Sequence, residues 1–150
     1  MPRSRYDQLV EAGIFGPDDR IELLDGLLVA REPQGERHAT VVGLVRAALE
    51  KAFGGASAHP SRPVLVVEVA DTSLALDRLR KGGLYARAGI ADYWVVNLID
   101  EVLEVYREPV RAPSGRGDWK YDSVRLLRRN AIVTPLAAPR ARIRVAALLP

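Results

Sequence analysis

The stretch from Pro63 to Leu98, PVLVVEVADTSLALDRLRKGGLYARAGIADYWVVNL, decides the fold of this chain. It opens with a nearly unbroken aliphatic run of strand length, Pro63–Ala70. Such a run is typical of a strand buried on both faces, as at the centre of a mixed sheet. Ser73–Ala88 then reads as a helix, although two adjacent glycines weaken it by about 1 kcal/mol each relative to alanine. A second strand, Asp92–Leu98, completes a strand–helix–strand unit.

Outside this stretch, hydrophobic periodicity and turn residues predict the remaining elements. Asp25-Gly26, between the two short apolar runs of Arg20–Glu32, is a strong hairpin signal because glycine accepts the positive φ of a tight turn. Glu101–Glu108 alternates apolar and acidic residues, which is typical of a half-exposed strand. The element order predicts α+β or mixed α/β structure in one domain, residues 1–150, with helices packed on one sheet. The other predicted elements are helices at Tyr6–Ala12 and Glu36–Phe53, a strand at Trp119–Leu127, and short strands in an irregular tail, Val133–Pro150.

The composition limits the chemistry that this chain can perform. Apolar residues make up 48% and charged residues 27% of 150, which excludes wholesale disorder and low-complexity structure. The absence of cysteine excludes disulfides, thiolate zinc sites and cysteine nucleophiles. With only two histidines, His38 and His59, any metal would be held mostly by oxygen, which favours magnesium, manganese or calcium.

Several functional classes have no support in the sequence. No apolar run approaches the roughly 18 residues that a membrane span needs. The first residues, MPRSRYDQLVEAG, contain no apolar segment of a secretory signal, so we expect a cytoplasmic protein. The motifs GxxxxGK[ST], GxGxxG after a strand and GxSxG do not occur, so NTPase, nicotinamide-enzyme and serine-hydrolase functions are not indicated.

Charge is divided unevenly between the two halves of the chain. Residues 1–75 carry 8 Lys/Arg and 11 Asp/Glu, a net charge of −3, whereas residues 76–150 carry 14 and 8, a net charge of +6. A basic half can bind a polyanion, because each cation close to a phosphate releases counterions. A solvated surface with an excess of arginine is the alternative.

Glu68 is the most informative single residue, because it is a carboxylate inside an otherwise aliphatic run. Burial of a lone ionised carboxylate costs several kcal/mol unless the group is paired or binds a metal. We therefore expect a cation or a metal next to Glu68. A buried Glu–Arg pair, or a position at the wet end of the strand, are the structural alternatives.

Three further residues are candidates for chemistry. Lys81 lies 13 residues after Glu68, in the helix that follows the strand, and can point at Glu68 to orient or deprotonate a water or to stabilise charge on a phosphate. Alternatively, Asp77 and Lys81 form an ordinary surface pair at i and i+4. Glu22 alternates with aliphatic neighbours, which is also the pattern of an exposed strand residue. His38 begins a helix, where an exposed or capping position is expected.

The stretch Leu65–Asn97 resembles the signature of the Uma-two family of predicted restriction endonucleases, in the PD-(D/E)xK nuclease-like superfamily. The agreement extends to Tyr6, Leu9 and Gly13, to RIELLDG and His38, and to the later segments EVLEVYREP, YDSVRLLRR and VTPLA. The family's strands before VVEV, including a strand that begins Pro-Asp, have no counterpart in this sequence.

The resemblance implies a mixed sheet flanked by helices, with acids that hold Mg²⁺ or Mn²⁺ and a lysine that assists cleavage of phosphodiester bonds in DNA. Carried over by position, the metal-binding acids are Glu22 and Glu68 and the lysine is Lys81. Asp77 and His38 also match family positions. Asp71, just beyond the strand, is the candidate replacement for the missing Pro-Asp carboxylate.

Because that carboxylate is missing, a second function stays open. The protein is then a catalytically inactive nuclease-fold module that binds nucleic acid or a protein partner. Loss of central strands would also leave a long sheet edge exposed, so a third possibility is a purely structural or interaction protein that forms a homodimer through this edge.

Overall fold

The computed structural model describes residues 1–13, 21–24, 27–30, 35–54, 63–113 and 118–150, with only the backbone described for residues 21–24 and 27–30. Its contacts divide the chain into two compact units, Met1–Pro33 and Gln34–Pro150. A single domain over the whole chain stays a prediction.

The first unit contains a helix and a hairpin. Helix α1 covers Arg3–Glu11, and strands β1 (Ile21–Leu24) and β2 (Leu27–Ala30) pair antiparallel, with Leu24 opposite Leu27. The predicted hairpin is thereby confirmed, while its turn, Asp25-Gly26, lies outside the described residues.

The second unit is built on a four-stranded mixed sheet of order β3-β4-β5-β6. The parallel pair β3–β4 comes from the predicted strand–helix–strand unit, and the remaining neighbours are antiparallel. The strands are β3 (Val66–Ala70), β4 (Asp92–Asn97), β5 (Val102–Arg111) and β6 (Trp119–Leu127).

Strand β3 differs from its predicted central position. Within the described part of the sheet it pairs with β4 alone, and four of its five residues are partly exposed. The aliphatic run arose because both faces of β3 are covered: Val67 and Val69 pack on one face and Val66 on the other. Covered faces do not require a hydrogen-bonded strand on each side. A homodimer through this edge stays a prediction.

Helices and the chain's last segment cover the two faces of the sheet. On one face, Val41 and Val45 of α2 (Glu36–Phe53) pack in a cluster with Trp94 and Val96 of β4. The final segment adds to the same cluster through β7 (Ile132–Val133), β8 (Ile143–Arg144) and a 3₁₀ helix (Val145–Leu148). The predicted short strands of the tail are thus confirmed.

The opposite face is covered by a helix that is interrupted by a π turn. It consists of α3 (Leu74–Leu76), the π turn (Asp77–Lys81) and α4 (Gly82–Arg87), and it confirms the helix predicted at Ser73–Ala88. A β carbon at Gly83 would lie 3.3 Å from the backbone oxygen of Trp119 in β6. Glycine at position 83 lets the helix approach the sheet closely. The packing gained in this way offsets the weak helix propensity of glycine.

Strand β4 is enclosed by these layers, and all six of its residues are buried. Among the helices that the structure describes, none combines the length and the apolar character that a membrane crossing requires.

Asp92, at the start of β4, connects the sheet to the last segment of the chain. Its fully buried carboxylate pairs with the guanidinium of Arg107 at 2.9 Å. It also accepts hydrogen bonds from the indole Nε1 of Trp94 at 2.8 Å and from the backbone N–H of Leu136 at 2.8 Å. All of these donors need an acceptor, because unpaired buried polar groups are costly.

Replacement of Asp92 by alanine is expected to lower the free energy of unfolding by about 3 kcal/mol or more. The change leaves Arg107 without its ionic partner, the buried indole N–H of Trp94 without an acceptor and the partly buried N–H of Leu136 without its acceptor. Urea denaturation followed by circular dichroism measures the loss.

Asp122→Ala is the matched control, because this carboxylate is 58% exposed and pairs with an exposed lysine, Lys120. Loss of such a surface pair costs less than about 1 kcal/mol. Equal destabilisation by the two alanine substitutions would contradict the structural role of Asp92.

Candidate active site

The candidate site lies between β3 and the helix that follows it. In the sheet register, Glu68 stands opposite Val95, which stands opposite Glu104. Residues opposite each other in a sheet point to the same face. Both acids therefore lie on the face that the π-interrupted helix covers, and that helix supplies their partners.

The two carboxylate oxygens of Glu68 contact two different residues. Oε1 accepts a hydrogen bond of 2.7 Å from the hydroxyl of Tyr85, and Oε2 lies 3.2 Å from Nζ of Lys81. The Glu68 side chain is 23% exposed, so it is partly accessible to solvent. Among the described residues, its charged partner is a lysine and not the arginine of the structural alternative.

Lys81 also contacts a second carboxylate. Its Nζ lies 3.0 Å from Oδ1 of Asp77, and the hydroxyl of Ser73 donates a 2.6 Å hydrogen bond to Oδ2 of Asp77. Asp77 is 1% exposed and Lys81 16% exposed, so this is no ordinary surface pair. The ammonium group thus lies between Asp77 and Glu68.

The electrostatics of this arrangement keep Lys81 charged. Burial lowers the pKa of Lys81, but attraction to Glu68 and the hydrogen bond and attraction to Asp77 outweigh burial, so the pKa is raised above its ordinary value. A raised pKa favours an ammonium that stabilises negative charge over an amine that removes a proton.

A second acid on the same face was missed by the sequence interpretation. Glu104 lies on β5, whose residues 102–106 are all buried, so the predicted half-exposed strand is wrong for this part. The carboxylate is 1% exposed and binds Arg78 through two guanidinium nitrogens, at 2.9 and 2.5 Å. It also accepts hydrogen bonds from Tyr106 at 2.6 Å and Asn97 at 2.8 Å. The alternation of apolar and acidic residues suggested that the acids face solvent. Glu104 can nevertheless be buried, because these partners compensate its charge.

His38 contacts β3 and is not an exposed or capping residue. Its Nε2 lies 2.9 Å from the carbonyl oxygen of Val69, and since a carbonyl only accepts, Nε2 carries the proton and donates. The next carbonyl, that of Ala70, accepts from the N–H of Leu98 on the β4 side. Carbonyls alternate along a strand, so the Val69 carbonyl points away from β4, to the side on which β3 has no partner among the described strands. The bond places His38 on that side of β3.

The remaining predicted site residues are not brought into this cluster. Asp71 follows β3 and is partly buried, but within the described residues it makes no hydrogen bond or ion pair with the cluster. Glu22 lies on β1 opposite Val29 in the backbone register, and its side chain lies outside the described residues. Its role stays a prediction.

The cluster offers part of what a divalent cation needs. Among the described residues, no group of three or more Asp, Glu or His side chains could hold a metal ion. Glu68 and Asp77 are hard oxygen donors of the kind that Mg²⁺ prefers. Two carboxylates around one ammonium therefore match the ligand type but fall short in ligand number.

A protein-family model described as "Putative restriction endonuclease", named Uma2, matches residues 51–145 of the chain. The chain belongs to the Uma2 family. The match contains Glu68, Asp77 and Lys81, and it confirms the predicted family. The mixed sheet flanked by helices agrees with the restriction-endonuclease-like fold and with the PD-(D/E)xK superfamily. Comparison with curated proteins gave no match.

Glu104 makes the stability of this Uma2 chain depend on pH in a way that can be tested. Burial raises the pKa of Glu104, but hydrogen bonds from Arg78, Tyr106 and Asn97 outweigh burial, so the pKa lies below its ordinary value of 4.5. A carboxyl whose pKa is lowered by folding stabilises the fold above its unfolded pKa. That stability is lost as the pH falls through the folded pKa.

We expect the free energy of unfolding of the wild type to fall more steeply below about pH 4.5 than that of Glu104→Gln. The glutamine variant is less stable at pH 7, and the gap between the two narrows in acid. Urea denaturation from pH 7 to pH 3 measures both curves. Parallel curves over this range would contradict the assignment.

Proposed function

We propose that this protein is a metal-dependent endonuclease that hydrolyses phosphodiester bonds in DNA. Membership in the Uma2 family supports the nuclease class. The observation that carries the proposal is the distance of 3.2 Å between Oε2 of Glu68 and Nζ of Lys81. It brings together an acid and a cation that lie 13 residues apart in the sequence, in a partly exposed position.

In this proposal Lys81 acts as a charged group. Phosphodiester hydrolysis builds negative charge on the phosphate oxygens, and a preorganised ammonium stabilises that charge. The carboxylate of Asp77 holds the ammonium from the buried side, at 3.0 Å. The hydroxyl of Tyr85 fixes one oxygen of Glu68 and leaves the other directed at Lys81.

Dependence on Mg²⁺ or Mn²⁺ is part of the proposal, with Glu68 and Glu22 as the acids that would hold the ion. A bound divalent ion would supply an activated water and neutralise phosphate charge. The described residues alone fall short of a complete ligand set, so a further donor is required from outside them.

The second candidate function is that of a catalytically inactive nuclease-fold module that binds nucleic acid or a protein partner. The observation in its favour is the small donor set in the described part of the chain, together with the lack of a Pro-Asp strand in the sequence. The second candidate predicts DNA retention without cleavage.

Glu68→Ala and Lys81→Ala are each expected to reduce DNA cleavage by about 100-fold or more, because each removes a group that acts on the reacting phosphate. Nicking of supercoiled plasmid is measured with Mg²⁺, with Mn²⁺ and with EDTA. Cleavage should require the divalent ion.

Glu50→Ala and Lys120→Ala serve as controls of the same charge type, at exposed side chains of α2 and β6. They should cleave like the wild type. Cleavage that survives both site substitutions would exclude these roles, and a folded wild type that never cleaves would favour the inactive module.

Tyr85→Phe tests whether the hydroxyl positions Glu68. The substitution removes the 2.7 Å hydrogen bond but keeps the ring, whose centroid lies 5.0 Å from that of Tyr93. We expect kcat to fall about fivefold with KM little changed, because one hydrogen bond contributes about 1 kcal/mol.

Tyr121→Phe removes another tyrosine hydroxyl on the same face, one that donates to the carbonyl of Ile90 and not to the cluster. It should lower stability without changing kcat. A loss of kcat that is equal in the two variants would mean that Tyr85 acts only through stability.

A further inference from the structure

A basic surface lies at the last segment of the chain. Residues 123–150 contain six arginines, no lysine and no acidic residue. Every one of the six is exposed. They are Arg125, Arg128, Arg129, Arg140, Arg142 and Arg144.

Backbone pairing brings four of these arginines together. The N–H of Ala146 donates to the carbonyl of Arg129 at 3.1 Å, and Ile132 stands opposite Arg144 in the β7–β8 pair. Ile143 is buried at 7% exposure, so Arg142 and Arg144 on either side of it point outward together. We call Arg128, Arg129, Arg142 and Arg144 the arginine surface.

The charge of this surface is poorly compensated. Within the part of the chain that the structure describes, Arg129 pairs with Glu101 at 3.2 Å, and the other three members form no ion pair. Glu101 is itself shared with Arg37 of α2, at 3.1 Å. The surface therefore presents excess positive charge to solvent.

The arginine surface and the candidate active site lie on opposite sides of the sheet. Ile143 and Val133 pack in the cluster that contains Trp94 and Val96. Glu68 is in register with Val95, whose side chain belongs to the other cluster, under the π-interrupted helix. A ligand on the arginine surface would therefore be separate from the groups around Lys81.

We propose that the arginine surface binds the phosphate backbone of duplex DNA. A guanidinium group can bind two phosphate oxygens at once, which the ammonium group of a lysine cannot do with the same geometry. Residues 123–150 contain no Phe, Trp or Tyr, whereas proteins that bind single strands stack bases on aromatic side chains. The composition of this segment therefore favours contact with the backbone of double-stranded DNA over contact with single strands. This binding does not depend on cleavage.

The test measures binding of the full chain to a 20-base-pair DNA duplex in EDTA, by fluorescence anisotropy at several KCl concentrations. R128Q/R142Q/R144Q should bind at least about tenfold more weakly than the wild type. The slope of log K against log salt should decrease in magnitude by about 0.9 for each phosphate that the variant no longer neutralises. R128K/R142K/R144K should bind more tightly than the glutamine variant but more weakly than the wild type, because the charges remain while the bidentate guanidinium contact is lost.

The matched control is R3Q/R46Q/R111Q, which removes three exposed charges scattered over α1, α2 and β5. It should bind within about threefold of the wild type. If circular dichroism shows that the glutamine triple variant is unfolded, R142Q/R144Q replaces it, with a slope change of about 1.8.

Three results would overturn the inference. The first is wild-type affinity in R128Q/R142Q/R144Q, and the second is an equal loss of affinity in the scattered control, which would mean that only net charge matters. The third is a wild type that ignores the duplex but binds phosphatidylserine vesicles. Plasmid nicking is a separate measurement, so failure of this inference leaves the nuclease proposal to its own test.

Discussion

One ammonium group allows two carboxylates to lie under the same helix. Nζ of Lys81 is 3.2 Å from Glu68 and 3.0 Å from Asp77, and the Asp77 side chain is almost completely buried. Without that cation, two negative charges would face each other in a region from which water is mostly excluded, and burial of unpaired charge is costly. The position of the helix over β3 and the character of the candidate site both depend on this group.

The pairing of a cation on the helix with a carboxylate on the sheet occurs twice along one row of the sheet. Arg78 and Lys81 belong to the same π turn, and they reach Glu104 on β5 and Glu68 on β3. The two carboxylates differ in exposure, since Glu104 is 1% exposed and Glu68 is 23% exposed, whereas Arg78 is 39% and Lys81 16% exposed. Both pairs therefore hold the helix on the sheet, and Glu68 is the more accessible of the two carboxylates.

The sequence predicted much of this architecture, because apolar runs and turn residues report on local structure. The strand–helix–strand unit and the hairpin depend on such local signals, and the need of Glu68 for a partner followed from the cost of burying charge. Other features depend on contacts between distant residues. Arg78 and Glu104 are 26 residues apart and His38 and Val69 are 31 apart, so no local pattern indicated either contact. The position of β3 at the edge of the described sheet was hidden because aliphatic composition reflects covered faces and not the number of neighbouring strands.

The close approach at Gly83 has a consequence for which sequences this fold accepts. The atom that faces Gly83 is the main-chain oxygen of Trp119, not its indole ring. Main-chain atoms are the same whatever residue occupies position 119, so exchange of that tryptophan would not remove this contact. A methyl group at position 83 would instead lie 3.3 Å from that oxygen, so helix and sheet would have to separate by a few tenths of an ångström. The tolerance of position 83 for a larger side chain is therefore set by backbone geometry and not by the identity of residue 119.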